Sequence, residues 1–152
     1  MAAIDLNAAT MNDFIARLEK IQADTSRQWG TKSSGEMIAH LNQAIAIGMG
    51  EVDAPSETNF VKRYIMRPII FSGLMPWPKA KIKSPGVFHP EAATDFENGK
   101  SELIDRFRKF VARCADEPQR DFYHPVFGDL TPIQQQRVFG MHSDHHLRQF
   151  GV

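Results

Sequence analysis

The chain has 152 residues, enough for one domain that hides roughly 68–70% of its unfolded surface without staples. Eighteen basic residues balance eighteen acidic ones, so overall charge points neither to nucleic acid nor to an anionic membrane. A single cysteine, Cys114, excludes an internal disulfide framework, Met1–Leu6 lacks the basic-then-apolar order of a secretory signal, and no apolar run approaches the ~18 residues of a membrane span; together these predict a cytoplasmic domain over residues 1–152.

Four segments carry helical periodicity and none has the alternation of a strand. In the first, Met11, Phe14, Ile15, Leu18 and Ile21 form an i, i+3, i+4 stripe behind Asn7 or Thr10 as candidate caps. The second opens on Ser33-Ser34-Gly35-Glu36, in which Ser33 and Glu36 can satisfy each other's free amides. It continues through Met37, Ile38, Leu41, Ala44 and Ile45 and stops at Gly48 or Gly50.

Phe60 to Leu74 also reads as helical, but Pro68 must kink or break it, and Pro76, Pro78, Pro85 and Pro90 make the following stretch an irregular crossover. From Thr58 to Pro90 there is no acidic residue, while Lys62, Arg63, Arg67, Lys79, Lys81 and Lys83 are basic and aromatics are interleaved. Six charges on a neutral chain are weak grounds for nucleic-acid binding. A cavity-closing crossover, or a face pairing with acidic surface in a dimer, is the preferred expectation.

The third helix spans about Asp95 to Ala115, with Leu103, Phe107, Phe110, Val111 and Cys114 on one side. Thr131 caps the fourth, and Pro132 stands at its first position, where a missing amide costs nothing. Four amphipathic helices with a long crossover between the second and third predict an all-α four-helix bundle.

Chemistry concentrates in the histidines. On the fourth helix His142 and His146 stack one turn apart, in line with Ile133, Val138, Phe139 and Gln149, and two imidazoles at that spacing can grip one transition-metal ion. His145 shares that face at i+3 and rivals His146, with a substrate or orienting role as its alternative. On the second helix His40 lies with Met37, Leu41 and Ala44 on the inward side, which makes it the candidate third ligand. A satisfied core histidine is the competing reading of His40, and a polar helix end that of the pair.

Other residues carry less. Ser143 and Asp144 cannot form a relay with the histidines, because neighbouring helical side chains diverge by about 100°. Glu36 is more simply a cap than a ligand. Gln149 stands open between orienting a metal-bound species and being an ordinary polar residue. His124, in His124-Pro125-Val126-Phe127-Gly128, rims the bundle or simply shapes a turn around Phe127. Trp29 is an aromatic anchor, and Cys114 inert packing.

Trp29, Ser34–Leu41, His124–Thr131 and above all His142–Gly151 resemble the DinB/YfiT-like superfamily and, within it, the DUF1569 branch. The resemblance covers most of the chain, with Asn59–Pro90 its least diagnostic part. It implies an up-down-down-up bundle, often dimeric, and a divalent metal, commonly nickel or zinc, on His40, His142 and His146. It also implies chemistry with low-molecular-weight thiols. The resulting expectation is a metal-dependent enzyme, a thiol-dependent transferase or a hydrolase, acting on a small molecule as a homodimer, without nucleic acid or membrane. The alternative is a metal-free small-molecule-binding or protein-interaction domain with structural histidines.

Overall fold

A computed structural model of the chain describes residues 4–72, 86, 90 and 95–152. These residues are all-helical, with five α-helices and no strand: α1 (Met11–Glu19), α2 (Ser34–Gly48), α3 (Arg67–Phe71), α4 (Phe96–Asp116) and α5 (Pro132–Gln149). A π-helical turn, Val61–Met66, runs directly into α3. Pro68 stands in the first turn of α3, where proline breaks no helical hydrogen bond, so the helical stretch changes pitch there rather than continuing as one α-helix. The predicted crossover through Pro76, Pro78 and Pro85, with Gly73, Leu74 and the lysines at 79, 81 and 83, lies outside the described residues.

The caps form as the sequence dictates. Ser33 Oγ accepts from the Glu36 amide at 3.2 Å and Glu36 Oε2 accepts from the Ser33 amide at 2.6 Å, so α2 starts with two of its free donors satisfied. Those bonds hold the Glu36 carboxyl below its usual range, and its side chain is spent at the helix end. Thr131 and Gln134 repeat the motif on α5, with Pro132 behind them. Asp95 caps α4 by accepting from the Asn98 amide at 3.0 Å. At α1, Thr10 holds the cap position without a side-chain cap bond, while Asn7 Oδ1 accepts from the Ala9 amide one turn earlier.

α2 packs chiefly along α4, α1 lies across α4 and α5, and α5 closes against α2 and α4. The apolar stripes meet in one core, where Phe110 sets its edge against Phe139 (4.8 Å) and Phe122 (5.6 Å), and Phe14 against Phe107 (6.2 Å). Burying each such ring stabilises the fold by roughly 1.5–3 kcal/mol. Ile133 departs from the expected inward line: it is 70% exposed, because that line projects back to Gln135, which is fully buried. Residues Asp5 and Leu6 lie along α5, with the Leu6 amide donating to the Gln136 carbonyl (2.9 Å) and Asp5 paired to Arg137. Gly140 makes this possible, since a methyl there would collide with the Ile4 carbonyl oxygen.

The segment before α5 folds back through a Phe122–Leu130 bridge, and its buried Phe127 packs on Phe71. Arg67 donates to the Phe127 carbonyl and to Gln134 Oε1, and Lys62 donates to the Glu57 carbonyl. Two of the basic side chains noted in the sequence are thus engaged by the chain's own oxygens. Among the described residues no helix is long and apolar enough to cross a membrane.

Candidate metal centre

The second turn of α2 and the last two turns of α5 face each other, and their registers bring three imidazoles together. His40 Nε2 lies 2.9 Å from His142 Nε2, and His142 Nε2 lies 3.1 Å from His146 Nε2. All three ligand atoms fall within 4.8 Å of one another, close enough to hold one metal ion. The rings stand edge-on, with each pair of centroids 4.8 Å apart. Helical spacing alone accounts for the His142–His146 pair. The arrival of His40 depends on α2 packing against α5.

The donor set fits a transition metal. Metal–imidazole bonds of about 2.0–2.1 Å put neighbouring nitrogens about 2.9 Å apart at right angles and about 3.3 Å apart in a tetrahedron. Two of the three nitrogen separations here lie in that range, and the third is within 4.8 Å. Burial favours the neutral form of two of them: it is the main cause that pushes His142 well below its ordinary pKa and His146 down to about 3, with the neighbouring imidazoles adding to it. Neutral imidazole is the form that binds metal. His40 and His146 are buried and His142 is half-buried.

The structure gives His146 a distinct environment. Its Nδ1 lies 2.9 Å from Gln149 Oε1, and Gln149 Nε2 donates to the Trp29 carbonyl at 2.8 Å. Gln149 thus meets the His146 ring at the nitrogen opposite the one that faces His142. His145 lies outside the three-histidine group. Its ring sits 5.0 Å from that of His146 and 6.1 Å from the Trp29 indole. Asp144 is taken by Arg17 (2.9 Å) and Arg148 (2.8 Å), and the Ser143 hydroxyl is buried, which agrees with the absence of a relay.

His124 is held by its own loop. Its Nδ1 accepts from the amides of Val126 (3.1 Å) and Phe127 (3.3 Å), and its ring stacks on Phe127 at 4.7 Å. Burial lowers its pKa to about 3, so it stays a neutral imidazole protonated at Nε2, within electrostatic reach of His142. Sequence reasoning missed Lys32. Its ammonium, itself disfavoured by burial, lies within electrostatic reach of His146. No signal in the sequence marks it, since it precedes the Ser33 cap like any loop lysine.

Cys114 is buried in the core, and burial pushes its thiol up to about 11. It is a packing residue with no thiolate character at neutral pH. Comparison with known proteins gives one family: the model for DUF1569, described as a protein of unknown function, matches residues 1–151. No curated protein and no solved structure matches.

Proposed function

The chain belongs to the DUF1569 family, and on that footing we propose that it is a metal-dependent enzyme acting on a small molecule, with His40, His142 and His146 as the ligands of one divalent ion. The observation that carries the reading is that ring nitrogens of His40, His142 and His146, from two helices, lie within 4.8 Å of one another. Three imidazoles without a carboxylate suit nickel or zinc.

When bound, the ion supplies Lewis acidity, which lowers the pKa of a water or thiol and provides a nucleophile at neutral pH. The chain's residues do the rest. Buried His40 and His146 and half-buried His142 present the ligand nitrogens. His124 is a rigid, uncharged ring whose Nδ1 is held by its own loop. Cys114, the sole cysteine and locked in the core, is not the nucleophile. The attacking group therefore comes from a low-molecular-weight thiol, giving a transferase, or from water, giving a hydrolase.

In this reading the helices α1, α2, α4 and α5 form a DinB-like four-helix bundle, with the segment between α2 and α4 as its crossover. The protein works in the cytoplasm as a homodimer, binding neither nucleic acid nor membrane. Two measurements test the enzyme assignment. Nickel or zinc at 100 times Kd stabilises the folded chain by about 2.7 kcal/mol and raises its melting temperature. The metal-loaded protein then turns over small electrophiles with an added thiol or with water, and chelation stops it. An unchanged melting temperature with either metal would favour a metal-free binding domain.

A further inference from the structure

Gln149 has a side chain whose two ends are assigned by their partners. The Trp29 carbonyl can only accept, so the atom facing it at 2.8 Å must be the amide nitrogen. The opposite end, 2.9 Å from His146 Nδ1, is then the carbonyl oxygen, an acceptor. His146 Nδ1 must carry the proton, and its Nε2 is left with the lone pair that points at His142 and the centre.

The backbone reinforces the arrangement. The Gln28 amide donates to the main-chain carbonyl of Gln149 at 2.6 Å. Gly30 turns with φ of +80°, and a methyl on it would collide with the Gln149 amide nitrogen. Gln149 itself is 5% exposed. A buried amide with both ends satisfied, in a turn that only glycine leaves open, is a fixed strut.

We infer that Gln149 is a positioning residue: its carbonyl oxygen holds the His146 ring with Nε2 presented as a ligand, and its amide anchors that ring to the Trp29–Gly30 turn. The inference rests on the metal-site reading, and it adds a partner outside the ligand set that decides which histidine nitrogen is presented. Such outer partners typically govern metal affinity by 10–100-fold. Being an amide rather than a carboxylate, Gln149 orients the ring without adding negative charge to a centre built only from imidazoles.

The test separates the inference from the reading beneath it. Metal-free protein with ¹⁵N-labelled histidine shows by NMR which ring nitrogen of His146 is protonated, and Nδ1–H is expected. Nε2–H in the wild type would overturn the proposal whatever the metal does. Zinc affinity of Gln149→Glu and Gln149→Met is then measured by chelator competition, with helical content followed by circular dichroism. Glu keeps an acceptor for Nδ1–H but loses the donor to the Trp29 carbonyl, and is expected to bind more weakly than wild type yet more tightly than the Met variant. Met keeps the bulk, loses the acceptor, and is expected to bind 10–100-fold more weakly. Equal affinity of the Met variant and wild type, or equal weakening of both variants, would overturn the proposal. Loss of zinc binding by the wild type itself would instead sink the metal-site reading.

Discussion

His40 Nε2 and His142 Nε2 lie 2.9 Å apart although 102 positions separate them in the chain. Neither ring is brought there by local structure. The contact is made by two capped helices whose core faces fix their rotation: Met37, Leu41 and Ile45 on α2, Val138 and Phe139 on α5. A shift of one residue on either helix would turn a histidine by about 100° and empty the centre. Stability of the core and geometry of the site are therefore the same requirement.

The first prediction concerns acid. His124, His142 and His146 are all held below the ordinary histidine value of about 6.5, chiefly by burial. Their neutral forms are favoured in the folded state, so the unfolded chain binds more protons once pH drops below about 6.5. The stability is complete above that pH and is lost as pH falls toward 3. Each such proton contributes up to about 1.4 kcal/mol per pH unit. Melting of metal-free protein between pH 7.5 and 4.5 is expected to show a steep decline, shallower in His124→Asn. A flat profile through that window would contradict the burial of these rings.

Gly140→Ala is predicted to destabilise the fold by about 1–3 kcal/mol, the usual cost of overpacking. The added methyl would meet the Ile4 carbonyl and lie 2.6 Å from the Leu6 amide nitrogen, pushing the N-terminal arm off α5. Urea titration measures the loss, and proteolysis near residues 4–10 should accelerate. Ala at Gly35, which meets nothing within 4 Å, is the control and should cost little.

Cys114 is predicted to be inert toward iodoacetamide and aromatic disulfides in the native protein at pH 8. Its thiol is raised to about 11 by burial and contacts the core. Labelling should appear only in denaturant. Rapid native labelling would show that the α4 core opens far more readily than its packing indicates.

Much of this was legible in the residues, and the exceptions have physical causes. The stop of α2 at Gly48 or Gly50, the Ser33–Glu36 capping box, and Thr131 with Pro132 at the start of α5 are local signals, and local signals need no partner to be read. The core stripe of α4 was equally plain, from Leu103 to Cys114. Ile133 failed because periodicity gives a face only to within a residue or so, and the first turn of α5 rotates Gln135 inward instead. The π-helical turn at Val61–Met66 was invisible, since no residue pattern separates it from an α-helix.

At the site, the i, i+4 pair was a matter of arithmetic, but the meeting with His40 rested on tertiary packing that spacing cannot express. Gln149 was ambiguous for the same reason. Its role depends on the Trp29 carbonyl, a backbone atom 120 positions away that carries no mark in the sequence.

The most direct measurement is metal content by elemental analysis of protein purified without an affinity tag, for the wild type, His40→Ala and His142→Ala in parallel. The account predicts about one nickel or zinc ion per chain in the wild type. It predicts near-complete loss in both variants, with the helical spectrum preserved. Variants that fold and keep the wild-type metal content would contradict it.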